Sequence, residues 1–260
     1  MQVAAAQSLK RAQKLLRVVI ADPQRKLGQD EEWILVETDD GSKKLRLHDY
    51  AAFYSVPGLY ELVVYETLQC DSPAVVAQLL ESELAREGEA AGDLRVLDLG
   101  AGNGCVADAL SETGVREFVG LDICHEAAIA AERDRPGLYR DYIVGDVTNL
   151  SDSDARTLKR HDFNCMVCVA ALGFGDIPPL VFLEAYNLVR DDGWVAFTIK
   201  AEFLLEGDGT GFARLVNNMI ETGALELKVR KNFTHRVSMD GSPLEYVAFV
   251  GKKRSSHFLD

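Results

Sequence analysis

Arg95-Val-Leu-Asp-Leu-Gly-Ala-Gly-Asn-Gly104 is the stretch that decides the fold. An apolar run ends in three alternate glycines, and a helical pattern follows over 103–113. Glycine at a strand end lets the backbone turn sharply and approach a ligand with no Cβ in the way. The same texture repeats from Leu94 onward. Strands are predicted at 95–99, 117–122, 141–144, 163–169, 194–200, 225–233 and 244–251. Helices fit between the first six, near 103–113, 125–134, 152–159, 178–190 and 210–222. Apolar strands alternating with helices imply a parallel sheet covered on both faces. The last two strands are joined by His235 to Ser242, where Asp240-Gly241 reads as a hairpin turn. The final strand should therefore run antiparallel to its neighbours.

Three acids mark the ends of the first three strands. Asp98, Asp122 and Asp146 are evenly spaced, one per strand–helix unit. Any one of them alone could be a helix cap or a turn residue. Together with the glycine loop they point to a nucleoside site. An acid at the end of the second strand can accept both ribose hydroxyls. One at the end of the third can accept from an exocyclic amine. A dinucleotide fingerprint would need G-x-G-x-x-G, but Cys105 stands at the third glycine position. Asp98 would also sit awkwardly beside a diphosphate, whereas it suits a positively charged ligand.

These residues resemble class I S-adenosylmethionine-dependent methyltransferases. Val96-Leu-Asp-Leu-Gly-Ala-Gly-Asn-Gly104 matches the family's first motif, Gly120-Leu-Asp122 its second-strand acid, and Gly145-Asp146-Val147 its adenine segment. Asp162 to Val169 resembles the fourth strand, and Leu188 to Val195 the turn into the fifth. Asp191-Asp192 replaces the usual Pro-Gly in that turn. A narrower similarity, through Ala51 to Tyr54, Gly137 to Tyr139 and Ala170 to Leu172, is to the small methyltransferase-like proteins of the Williams–Beuren region. The resemblance implies a three-layer α/β/α Rossmann-like domain over 88–254. Its sheet would have seven strands in the order 3-2-1-4-5-7-6, with strand 7 antiparallel. It also implies S-adenosyl-L-methionine as cofactor, with S-adenosyl-L-homocysteine as the product left after transfer. Asp98, Gly100, Ala101 and Gly102 would hold the methionyl part, and Asp122 the ribose. Ile123 and Val147 would sandwich the adenine, with Asp146 on its edge. Ala170 and Tyr54 complete the set. No Asn/Asp-Pro-Pro-aromatic run follows the fourth strand, where Ala170 to Asp176 stands instead, which disfavours methylation of amino groups on adenine, cytosine or glutamine. Two other functions compete, an NAD-dependent oxidoreductase and a non-catalytic nucleoside-binding regulator.

Residues 1–87 read as a cap, and 255–260 as a tail. Apolar positions from Val3 to Ile20 form a helical stripe ended by Asp22-Pro23. Trp33–Thr38 and Lys43–His48 flank Asp39-Asp40-Gly41-Ser42 as a hairpin. Short helices follow near 48–55 and 58–68, and Ser72-Pro73 opens another as its N-cap and first turn. Asp176, His235 and His48 are the residues that could act as a base on a substrate, although a scattered histidine is more often a surface or capping group. His125 follows the ribose segment and would border the cofactor. Glu202 to Gly211 is glycine-rich and is expected to expose Phe203 and Leu204, as a lid or as a connector. Cys165 and Cys168 lie three apart on a strand and so face opposite sides. They should be small buried hydrophobes, and no metal site is expected.

The chain of 260 residues has 28 basic and 41 acidic side chains, a net charge of −13. That excess disfavours nucleic acid and a polybasic membrane surface as partners. A small-molecule acceptor fits it better, with a protein acceptor second. Five cysteines, no long apolar run and no leader-like N-terminus read as a reduced, cytoplasmic protein. No feature reads on oligomeric state.

Overall fold

A computed structural model describes residues 2–20, 27–38 and 41–257. Helix α1 (Gln2–Gln13) is followed by strand β1 (Arg17–Ile20), β2 (Trp33–Thr38) and β3 (Gly41–Arg46). The expected helix over 3–20 is thus corrected: it stops at Gln13. Val18, Val19 and Ile20 are β-branched and pair antiparallel with Val36, Leu35 and Ile34, so a waiting strand partner outweighs the helical stripe. The expected hairpin becomes a three-stranded sheet, β1-β2-β3. Asp22-Pro23 and Asp39-Asp40 lie outside the described residues.

Helix α2 (Tyr50–Ser55) is capped by Asp49, which accepts from the Ala52 N–H. The next segment, Glu61–Thr67, is not an ordinary helix but a π-helix. It ends with the Leu68 N–H reaching back five residues to the Val63 carbonyl at 2.9 Å. Such wide turns collect at functional sites. Ile34, Val36, Leu45, Phe53, Leu59 and Val63 form a core of their own, which also holds Met239 from the far hairpin.

Helix α3 (Ser72–Glu87) starts at the residue expected to cap it, and its N-cap is Asp71. Ser72 is inside it, fully buried, and its hydroxyl meets His235 Nδ1 at 2.7 Å. The alternating part follows: β4 (Arg95–Leu99), α4 (Cys105–Glu112), β5 (Glu117–Asp122), α5 (His125–Asp134), β6 (Asp141–Val144), α6 (Asp152–Arg160), β7 (Cys165–Cys168), α7 (Pro179–Asn187), β8 (Trp194–Lys200), α8 (Phe212–Glu221), β9 (Leu225–Val237) and β10 (Pro243–Lys253). The sheet runs β6-β5-β4-β7-β8-β10-β9, which is the expected order, and β10 is antiparallel to both β8 and β9. Helices α3 and α4 pack on one face through Val76, Leu80, Val106 and Leu110. Helices α6, α7 and α8 pack on the other through Leu158, Phe182, Tyr186 and Leu215. Cys165 belongs to the first core and Cys168 to the second, so the two thiols lie on opposite faces. In the turn before β8, Asp192 keeps a left-handed φ of 63° where the family's pattern has glycine. Arg254 pairs with its carboxylate.

Candidate functional site

The glycine loop sits at the carboxyl end of β4, in the middle of the parallel strands. Gly100 and Gly102 take φ of 70° and 54°, a region in which a side chain is strained. Space is equally short. A Cβ on Gly100 would meet the Ala171 Cβ at 2.9 Å, and one on Gly102 would meet the Tyr54 hydroxyl at 2.5 Å. The loop is tied to the next strand by Asp122: its Oδ2 accepts from the Gly102 N–H and its Oδ1 from the Cys124 N–H, both at 2.8 Å. Burial raises the Asp122 pKa, against the pull of these backbone donors. Tyr142 donates its hydroxyl to the Gly102 carbonyl at 2.7 Å. From the cap, Glu61 Oε1 accepts from Asn103 Nδ2 at 2.6 Å and from Arg135 Nη1 at 3.0 Å. Arg135 also donates to the Asn103 carbonyl at 3.1 Å.

A cavity of about 350 Å³ opens beside this loop. Gly100, Asp122, Ile123, Asp146, Val147 and Ala170 line it, and Tyr54 closes it from the cap. Ile123 is 72% exposed, an apolar side chain facing the cleft with nothing over it. Asp146 caps a short 3-10 turn, its Oδ1 accepting from the Thr148 N–H at 2.9 Å and the Thr148 hydroxyl at 2.8 Å. The cap role and a place on the cleft wall thus coincide in one residue. Ala170 holds a positive φ of 56°, and its N–H donates to buried Thr198 Oγ1 at 2.8 Å.

Asp98 is placed differently. It is fully buried behind the loop, outside the cavity wall, with Oδ2 accepting from the Tyr139 hydroxyl at 2.7 Å. Its Oδ1 has no partner. Burial pushes its pKa up to about 7, although the Tyr139 hydrogen bond lowers it. His125 is exposed at the first position of α5 and lines neither cavity.

A second, smaller cavity of about 70 Å³ lies between the loop and the cap. It shares Tyr54, Gly100, Ala170 and Asp176 with the first. Ala101 and Gly102 line it too, and it brings together Asp176, His48 and His235. Asp176 Oδ2 lies 3.5 Å from His48 Nδ1 and accepts from the Tyr50 hydroxyl at 3.4 Å. His235 is buried, with its pKa pushed down to about 3 by burial and then by Arg236, so it is neutral at physiological pH. Its Nδ1 is engaged by Ser72.

The donor set distinguishes the ligands that could fill the larger cavity. Among the described residues no Lys or Arg is on its wall, while Asp122, Asp146 and Asp176 are. That suits a nucleoside with a cationic sulfonium and not a diphosphate. The glycine cradle and the uncovered Ile123 give the room and apolar surface a planar base requires. A family model described as a methyltransferase domain matches residues 97–197. Residues 97–197 are thus similar to a methyltransferase domain.

Solved structures of the same fold are distant in sequence. A candidate RNA methyltransferase from Pyrococcus horikoshii is 17% identical, with a TM-score of 0.51 over 72% of this chain and 88% of that one. Magnesium protoporphyrin IX methyltransferase from Synechocystis, solved with S-adenosylmethionine bound, is 12% identical, with a TM-score of 0.48 over 70% and 79%. Among curated proteins none matches the sequence.

Several residues around the glycine loop were not legible beforehand. Tyr142, Arg135 and Glu61 hold the loop, and Tyr139 holds Asp98. Alternation along β6 carried a signal for Tyr142, since every second residue of a strand faces one side. Glu61 carried none, because its position depends on the π-helical turn. The 202–211 expectation is corrected: Phe203 is buried at 9% exposure, its ring 4.8 Å from Phe174, and Leu204 is half-buried. A 3-10 turn over Ala201–Leu204 folds both inward, and Leu205 is the exposed residue at 63%. Among the described residues no group of three metal-ligating side chains occurs, and no helix is long and apolar enough to cross a membrane.

Proposed function

We propose that the protein transfers a methyl group from S-adenosylmethionine to an N, O or C nucleophile of a small-molecule acceptor, in a reduced, cytoplasmic setting. In this reading Asp122 takes the ribose, Ile123 and Val147 cover the adenine faces, and Asp146 meets its edge. Gly100, Ala101 and Gly102 hold the methionyl end with their backbone, and Asp98 opposes its positive charge from behind the loop. Tyr54 and Ala170 close the other side. The observation that carries the reading is the cation-free wall of the larger cavity, with a carboxylate at the ends of β5 and β6 and a glycine cradle between them. When bound, the cofactor supplies an already activated methyl group. The chain's own residues then align the acceptor and keep water away. The closed cap of Tyr50, Tyr54 and Tyr60 serves that exclusion. Asp176 borders both cavities and is the group placed to hold an acceptor proton, with His48 beside it. The acid excess on the surface supports a small acceptor over nucleic acid.

Calorimetry with S-adenosylmethionine, S-adenosylhomocysteine and NADH tests the reading. Binding of the first two is expected, with none for NADH. Tight NADH binding without the others would overturn it. Binding without turnover across a broad acceptor screen would favour a regulator instead.

A further inference from the structure

The smaller cavity has walls of one chemical kind. Tyr50 and Tyr54 stack with centroids 6.2 Å apart, Tyr54 and Tyr60 stand at 5.0 Å, and Tyr60 and Tyr65 at 6.0 Å. All four rings line the space. Electron-rich ring faces attract an ammonium group.

Its charges are equally restricted. Among the described residues Arg236 is the one Lys or Arg on the wall, and it is already paired. Glu32 Oε2 lies 2.5 Å from its Nη2, and its Nη1 donates to the Val237 carbonyl at 2.9 Å, with both side chains buried. His235 stays neutral at physiological pH. Asp176 is therefore the carboxylate on this wall that no Lys or Arg neutralises. At the deep end, Gln29 donates Nε2 to the Tyr246 hydroxyl at 2.9 Å. Its Oε1 is buried with no partner among the described residues, and the residue is 8% exposed. A buried acceptor without a donor calls for one from a ligand.

We propose that this cavity is the acceptor subsite and that the acceptor is a compact amine. Its reacting nitrogen lies at Asp176, where the two cavities meet, its chain runs along the tyrosine-lined wall, and a second hydrogen-bond donor reaches Gln29 Oε1. The inference rests on the larger cavity being the cofactor site. Among the described residues a carboxylate or phosphate ligand has no free cation to meet here, and an all-hydrocarbon one leaves Gln29 unsatisfied. The bound ammonium releases one proton through Asp176 and His48. The freed nitrogen lone pair forms the bond to the methyl carbon as the carbon–sulfur bond breaks, its electron pair staying on sulfur. The product leaves as a methylated ammonium.

Three probes share a three-carbon chain with a hydroxyl at one end: 3-aminopropanol, propane-1,3-diol and 3-hydroxypropionate. Their affinities are measured by NMR titration of the full chain saturated with S-adenosylhomocysteine. The aminoalcohol is expected to bind at least about tenfold more tightly than the diol, and the carboxylate not at all, since a site built for hydrogen bonds rejects ligands that lack them. Asp176→Asn should erase the preference for the amine over the diol. Gln29→Met should weaken the aminoalcohol towards the level of propylamine. Equal binding of all three probes, tightest binding of the carboxylate, or an amine preference that survives Asp176→Asn would overturn the proposal. Failure of S-adenosylhomocysteine itself to bind would instead overturn the reading of the larger cavity.

Discussion

The two cavities meet at Gly100 and Asp176 yet are built on different principles. The larger one is made by the sheet: strand ends, backbone N–H groups and carboxylates at fixed register. The smaller one is closed over the loop by side chains of the cap, from α2 and the π-helical turn, together with His235 and Arg236 at the end of β9. Backbone geometry shared by a whole fold fixes the first. Packing particular to this chain fixes the second. In the proposed reading, the difference separates what binds the cofactor from what selects the acceptor.

The largest expected effect is on the cap side. Glu32 Oε1 accepts from the Met239 N–H at 2.6 Å, and its Oε2 holds Arg236, so one buried carboxylate joins the cap to the hairpin. Glu32→Ala leaves Arg236 buried and unpaired and should cost about 3–5 kcal/mol in urea unfolding. A loss under 1 kcal/mol would mean the cap pocket is not held by that pair. Phe203→Ala, beneath Phe174 on the pocket wall, should cost about 3 kcal/mol. A change in substrate turnover with unchanged stability would restore the lid. On the sheet side, Asp122→Ala frees both the Gly102 and Cys124 N–H groups. Charge-assisted bonds are worth about 1.5–3 kcal/mol each, so S-adenosylhomocysteine should bind at least about tenfold more weakly by calorimetry. Unchanged affinity would remove Asp122 from the site.

Asp98 supplies a pH-dependent comparison. Its folded pKa of about 7 lies above the unfolded carboxylate value of about 3.9. The folded state therefore holds an extra proton between those values. Its contribution is fully present below the unfolded pKa and is lost as pH rises to about 7, with a slope of at most about 1.4 kcal/mol per pH unit. In Asp98→Asn that slope should vanish, read as the difference between the two proteins' urea midpoints at pH 5 and pH 8. Parallel midpoints would contradict it. The smallest effect belongs to the exposed pair Arg17–Glu37 at the edge of the cap sheet, 4.0 Å apart. Arg17→Ala should change stability by less than about 0.5 kcal/mol.

Legibility in the sequence followed the same division. The antiparallel β10 and the bounds of α5 came through because strands, helices and turns carry a local pattern, whereas the order of the seven strands came from the family resemblance. Asp122 and Asp146 were found at strand ends for the same reason. The N-terminal stripe misled, since Val19 and Ile20 obey a helical period and yet pair with β2, a non-local fact. Phe203 misled because its partner, Phe174, comes from the loop after β7. Glu61 and Gln29 were invisible, as their roles arise only when the cap closes on the loop.

Hydrogen exchange with saturating S-adenosylhomocysteine tests the central claim most directly. Amides at 100–104, 122–124 and 145–148 should slow together, at the three strand ends that form the larger cavity. Protection absent from all three segments, or confined to other parts of the chain, would contradict the account.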